Sequence, residues 1–530
     1  MSPAHPATPF VALEAGQTLQ RPPLDGIEYR FGLLLAVFGL VFLFSLPPDQ
    51  APDEYAHFLH AYDVAKGHLL PAHDSEGWAG TTLPPALLQL NTRSPQLWRH
   101  PDEKWTWQDT QDLMNLRFSD EKERPVSMAQ ASIYTFLPYL PQAAGIRLAH
   151  GLHLPPLPLF YAGRLGSLVF GVLCVMLAIR LTPIGKLLFG GVALLPLTVQ
   201  QLASLSADGP TIGLSLVLVA ALLRLALSAN EGRLPSLVVG LLLLMFATAL
   251  TKFPYTVLVL LYFGIAPEQV GSRRRYWLIG ALVLAVTAIG LALSVTLTRP
   301  FILDPHRLRE MPISESAQIH FLLTHPRAFL WMFLSNIAYF GVYWVLSLFS
   351  LGCLDTPLNP LTGLCYLCFL ALLAVADRPR GELPWKLWGV GSAVVSLSSV
   401  MILTALYVWW NPPASDLLEG PQGRYFIPLM PLFFLLLRNG GIRVTADERF
   451  LARMTLAVAV LFLIYAWAIL VNRFYFHEPP LLLAPPTLLS VGVLALLLCW
   501  AKYRWELAQA TTNTAAPSAC DASASSRPAA

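Results

Sequence analysis

Hydrophobic residues along this chain fall into long unbroken runs, not into the period of a half-buried helix or strand. The first run, Phe31 to Leu46, carries no charge and stops at Pro47-Pro48. It reads as a membrane-crossing helix that also serves as the insertion signal. The thirty residues before it are polar and Pro-rich with no apolar core of their own, so no cleavable signal peptide is expected. Further apolar runs lie near 161–181, 185–203, 209–229, 234–251, 253–267, 275–298, 358–377, 385–410, 424–438, 452–473 and 481–501. Two more, 131–149 and 327–351, are ambiguous. The first contains Pro138, Pro141 and Arg147, and the second is long and rich in aromatic residues.

The positions of Lys and Arg choose among the possible threadings. With residues 1–30 as a cytoplasmic tail and both ambiguous stretches interfacial or re-entrant, one side collects Arg180/Lys186, Arg224/Arg233, Arg273–Arg275, Arg378/Arg380/Lys386, Arg438/Arg443/Arg449/Arg453 and Lys502/Arg504. The expectation is an all-α polytopic membrane domain over 31–505 with about twelve spans (range 11–14) and both termini cytoplasmic. The basic positions Arg299, Arg307 and Arg309 run against that threading. Residues 49–130 form a large first extracytoplasmic loop containing short helices. Residues 506–530, rich in Ala, Ser, Thr and Pro, form a disordered cytoplasmic tail.

Composition agrees and excludes the rest. Charged residues make up 13% of 530, about half the share in an average soluble domain, and 55% are hydrophobic. A net charge of +3 gives no reason to expect nucleic acid. The six cysteines are scattered, and the Cys365-x-x-Cys368 pair sits in an apolar run with no second pair, where thiols act as small hydrophobes. No Walker A, dinucleotide-binding, HExxH or G-x-S-x-G pattern is present, which argues against an ATP-driven pump or a soluble nucleotide-sugar domain.

The few polar groups beside apolar runs are then the candidates, and the threading puts them all on the outer face. Pro47-Pro-Asp-Gln-Ala-Pro-Asp-Glu-Tyr-Ala-His-Phe-Leu-His60 follows the first helix. On a helix opened by Pro52, Asp53, His57 and His60 share one face, with Glu54 offset by about 100°. A carboxylate there can take a proton from a hydroxyl, and Asp53 with His57 can hold a divalent cation. The plainer reading is an acidic helix cap with solvated histidines. Asp208 is a metal or sugar contact, or an N-cap along with Ser206. Lys252 is a phosphate partner, or a side chain snorkelling to the interface. Arg424, beside Gln422 in Gly420-Pro-Gln-Gly-Arg-Tyr-Phe, suits bidentate phosphate binding. Arg164 is a third cation or an interfacial anchor, and Asp355 a substrate contact or a turn residue.

These residues carry a resemblance. PPDQAPDEYAHFLHAYDVAKGHLLP resembles the signature of the domain of unknown function 2142 family of polytopic bacterial membrane proteins. IYTFLPYLP, YAGRLGSL, LPLTVQQLASLSADGPT, LTKFPY, LGCLDTPLNP and QGRYFIPLMPL follow in the family's order over roughly 31–475. Gln50-Ala51 is an insertion in the pattern, which leaves Asp53 as the favoured family Asp, and Cys353 stands where the family often has Trp. The layout is similar to that of GT-C glycosyltransferases. It implies sugar transfer from a polyprenyl-phosphate donor to an envelope glycan or lipid acceptor, in the bacterial cytoplasmic (inner) membrane. Under that reading Asp53 is the base, Glu54 orients it or helps bind Mg or Mn, and Lys252 and Arg424 hold the lipid phosphate. No cofactor is certain. His57, Arg164, Asp208, Asp355 and Gln422 complete the substrate-binding set. A transporter or flippase, and a non-catalytic partner of an envelope polysaccharide system, are the alternatives.

Overall fold

The computed structural model describes residues 26–73, 79–128, 131–228, 234–302, 313–377, 382–442, 444 and 446–478. The expected span at 481–501, the C-terminal tail and most of the N-terminal tail lie outside them. The architecture is helical. Its main helices are α1 (Ile27–Ser45), α2 (Glu54–Lys66), α3 (Leu140–Gly151), α4 (Pro156–Leu181), α5 (Lys186–Ala193), α6 (Pro196–Leu202), α7 (Asp208–Leu227), α8 (Leu234–Ala249), α9 (Arg273–Ile302), α10 (Glu315–Thr324), α11 (Pro326–Leu346), α12 (Pro360–Ala376), α13 (Trp385–Trp410) and α14 (Glu448–Tyr475).

Among the described residues seven helices are long and apolar enough to cross a membrane: α1, α4, α7, α9, α11, α13 and α14. Helix α7 is the hub. It packs on α4, α6, α8 and two 3₁₀ segments, Phe253–Gly264 and Gly423–Leu429. Within its apolar window 83% is buried, against 22% for α9, whose apolar side chains face outward. A helix that is apolar all round is stable in either setting. The difference is that α7 is enclosed by protein and α9 lies at the periphery.

Several expected spans take other forms. For the ambiguous run 327–351, interfacial or re-entrant in the preferred threading, α11 supplies 21 residues, about 31 Å of helix, long enough to cross the bilayer core. The run 131–149 forms a 3₁₀ turn, Leu137–Tyr139, that leads into the twelve-residue α3, about 18 Å long and shorter than the bilayer core. The run 185–203 breaks at Leu194-Leu195 into α5 and α6, with Pro196 starting the second helix. The runs 253–267 and 424–438 wind largely as 3₁₀ helix. Such irregular backbone is tolerated at membrane depth only when enclosed by protein, and 187–203 is buried throughout.

The first loop is more ordered than expected. Besides short helices it has an antiparallel sheet in the order β1 (Ala72–His73), β2 (Ala79–Leu83), β3 (Arg124–Ser127), with Gly80 opposite Ser127 and Leu83 opposite Arg124. Phe58, Leu59, Leu83, Leu87, Leu97, Trp105, Tyr139 and Phe160 give it a core of its own against α2–α4. The end of α14 is tied to it: Trp105 N–H donates to Phe474 O (2.7 Å), and Arg473 Nη2 donates to Leu97 O (2.6 Å).

Candidate active site

The site is set by how α1 ends. Pro47 and Pro48 stop the helix and leave its last carbonyls without N–H partners. Arg164, from the middle of α4, supplies them: Nη1 donates to Leu43 O and Leu46 O (both 2.7 Å), and Nη2 to Pro47 O (3.0 Å). The same guanidinium grips Glu54 in bidentate fashion, Nε to Oε1 at 2.8 Å and Nη2 to Oε2 at 2.7 Å. Leu205 N–H adds a third bond to Glu54, to Oε1 at 3.0 Å. Both side chains are fully buried. Glu54 and Arg164, expected from the sequence as site residues, are thus bound to each other away from solvent. They saturate each other and form a structural clamp joining α1, α2 and α4.

With Glu54 turned inward, Asp53 points the other way. It sits at φ 59°, in the left-handed region, and its carboxylate makes no cap to α2. Instead Oδ2 lies 3.2 Å from Arg424 Nη2, and the side chain stays 43% exposed. Asp208 begins α7, where Ser206 Oγ accepts the Asp208 N–H, so the Asp208 carboxylate is not needed as a cap. Its Oδ1 takes Lys252 Nζ at 2.5 Å, and its Oδ2 faces Arg424 Nε at 3.4 Å. Lys252 Nζ also lies over the rings of Tyr134 (4.7 Å) and Tyr425 (5.3 Å). Tyr255 Oη donates to Tyr425 O (2.7 Å), holding the 253–264 and 423–429 segments together at this point. Asp53, Asp208, Lys252 and Arg424, far apart in sequence, thus form one cluster of two carboxylates and two cations.

The histidines are placed otherwise than expected. His57 is buried and its Nδ1 pairs with Tyr139 Oη at 2.7 Å. Burial pushes it down to about 3, so the ring is neutral. His60 packs on Tyr139 with the rings tilted and their centroids 4.1 Å apart, pairs with Ala131 O, and is pushed down by burial to about 4. Asp53 turns to Arg424 and His57 to Tyr139. Among the described residues no group of three or more His, Cys, Asp or Glu side chains is placed to hold a metal ion. Asp355 pairs with Arg473 at 3.0 Å and accepts Arg99 N–H, as a residue of the β4 (Ser350–Leu351) and β5 (Thr356–Pro357) turn.

A cavity of about 1940 Å³ opens beside the cluster, roughly twice the upper end for a drug-sized ligand. Asp49, Asp53, Tyr134, Lys252, Asp355, Gln422 and Tyr425 are on its wall, and Leu291, Val295, Ile402 and Leu406 from α9 and α13 give it apolar flanks. Gln422 Oε1 is buried with no hydrogen-bond partner among the described residues. Asp49, Tyr134 and Tyr425 are absent from the sequence-based candidates. The signal for Asp49 was its place directly after the proline pair. The ring contacts of the tyrosines with Lys252 are visible only in three dimensions. Asp49 is pushed up to about 7, first by burial and then by the charge of Glu54.

Two solved structures of ArnT from Cupriavidus metallidurans, one in the apo state and one bound to undecaprenyl phosphate, are similar at 13% identity. Their TM-scores are 0.38 and 0.39, with 88% of this chain and 74% of that chain covered. No curated protein matches the chain. Residues 35–433 match the family model described as Predicted membrane protein (DUF2142), a stretch that includes every member of the cluster, and the chain therefore belongs to the DUF2142 family of membrane proteins.

Proposed function

We propose that the chain is an integral-membrane glycosyltransferase of the bacterial inner membrane, moving a sugar from a polyprenyl-phosphate donor to an envelope acceptor on the extracytoplasmic face. The observation that carries this reading is the meeting of two buried cations, Lys252 and Arg424, with the exposed carboxylate of Asp53 at a large cavity with apolar flanks. In such a transfer the acceptor oxygen bonds to the anomeric carbon as the bond from that carbon to the phosphate oxygen breaks. The bonding pair stays on the phosphate, whose negative charge grows. Fixed cations aimed at that charge lower the barrier without reorganising. The acceptor proton passes to Asp53. Asp208 holds Lys252 and Arg424 in register, and the apolar wall of α9 and α13 suits an isoprenoid tail. A divalent cation, if one takes part, would meet the acidic members of this same cluster.

A transporter needs polar groups along mid-span with access from both faces. Here the cluster is built from helix beginnings and the segments beside them: the start of α2, the start of α7, and Lys252 and Arg424 at the heads of the 3₁₀ segments. This favours chemistry at one face.

The test uses the full chain in proteoliposomes with a polyprenyl-phosphate-linked sugar and an envelope acceptor fraction. Asp53→Asn is expected to lower the transfer rate by about a hundredfold or more. Undiminished transfer by that variant overturns the role of Asp53. Uptake of the saccharide into vesicles by the wild-type chain, without product, overturns the enzyme reading in favour of transport.

A further inference from the structure

The cluster is electrically complete as it stands: two cations, Lys252 and Arg424, face two carboxylates, Asp208 and Asp53. A phosphate added to it would bring unbalanced negative charge into a largely buried place, which is costly. One carboxylate has to leave, and the two are not equally held. Asp208 is almost wholly buried and bound to both cations, with its Lys252 contact at 2.5 Å. Asp53 is 43% exposed and touches Arg424 through a single nitrogen at 3.2 Å. That nitrogen also contacts Tyr425 Oη at 3.3 Å. Arg424 Nη1 is buried and has no hydrogen-bond partner among the described residues, so the guanidinium has spare donor capacity. Arg424 itself is not on the cavity wall, whereas Asp53 is. Asp53 therefore stands between Arg424 and the cavity.

We infer that Asp53 is an internal plug on the phosphate site, and that the donor phosphate enters by displacing it from Arg424. The inference rests on the glycosyltransferase reading and deepens it. The exchange is balanced. A sugar phosphodiester carries one negative charge and replaces the one charge of Asp53. During transfer the acceptor proton goes to the freed Asp53, while the departing phosphate gains the corresponding negative charge. Donor binding thus releases the base, and an empty site keeps the base engaged with Arg424. Coupling of this kind is reciprocal: phosphate binding weakens the Asp53–Arg424 contact by the same factor by which that contact weakens phosphate binding.

The experiment measures binding of a short polyprenyl monophosphate, and of the corresponding polyprenol without phosphate, to the purified full chain in nanodiscs. The variants are Asp53→Asn and Asp53→Gly, the second chosen because glycine takes the left-handed backbone at this position without strain. Removing a partly exposed competitor for one arginine is expected to tighten the monophosphate by about two- to fivefold in both variants and to leave the polyprenol unchanged. Transfer is lost in the same variants. Unchanged or weaker binding of the monophosphate overturns the plug. Equal tightening of the polyprenol also overturns it, since space and not charge would then be the cause. If the wild-type chain and both variants bind the monophosphate no better than the alcohol, the phosphate-site reading of Lys252 and Arg424 fails, and the plug with it.

Discussion

The Glu54–Arg164 clamp gives the sharpest test of the structure, because the two residues look functional in sequence and structural in three dimensions. Consider Glu54→Gln. The shape is kept and the charge is lost. Glu54 accepts from Arg164 Nε and Nη2 and from Leu205 N–H, at 2.8, 2.7 and 3.0 Å. A glutamine amide turns one of its two ends into a donor facing donors. At most one arginine bond survives well, and the Arg164 charge is left without a counter-ion in a fully buried position. Breaking one partner of such a pair costs about 3–5 kcal/mol. That is about two to three and a half decades in the ratio of folded to unfolded chain. The cost propagates, since Arg164 also closes the carbonyl end of α1. The assay is the midpoint of heat-induced loss of the monodisperse peak in detergent, for wild type, Glu54→Gln, Arg164→Met and the double variant. Each single variant is expected to lower the midpoint strongly. The double variant is expected to recover part of the loss, because no lone charge stays buried. Wild-type stability of Glu54→Gln would refute the clamp and return Glu54 to the list of catalytic candidates.

Two further outcomes are expected. Helices α3 and α4 approach so closely that a Cβ on Gly166 would run into the Pro141 carbonyl, and one on Gly145 into the Ala162 carbonyl. Gly166→Ala should therefore cost about 1–3 kcal/mol of stability in the same melting assay, and an unaltered midpoint would refute the close packing. Asp49, pushed up to about 7 from an ordinary 3.8 mainly by burial, favours its protonated form in the folded state. Its contribution is thus complete below about pH 4 and is lost as pH rises through about 7, so Asp49→Asn should raise the midpoint at pH 8 and leave it unchanged near pH 4. The same pH slope in variant and wild type would show that Asp49 is not the group responsible.

Membrane class was legible in the sequence because transfer of an apolar side chain out of water is a local, additive property of each run. The same logic singled out Asp53, Asp208, Lys252 and Arg424: a charge beside an apolar run is expensive wherever the chain goes. Whether a run becomes one straight helix was not legible. Residues 185–203 and 253–267 are as apolar as true spans, and only enclosure by protein lets them break or wind as 3₁₀ helix.

Pairing was decided by the tertiary structure alone. Asp53 and Glu54 are neighbours with the same chemistry, and nothing in their sequence separates the clamp from the site. Asp53 takes a left-handed backbone just before α2 and Glu54 is the first residue of that helix, so the two side chains leave in different directions. One meets an arginine 110 positions away in the bundle, and the other an arginine 371 positions away at the cavity. The sequence by itself determined which charges had to find a partner, because an unpaired buried charge is costly in any fold. Which partner each one found, and so which carboxylate was left facing the cavity, depended on how the helices pack.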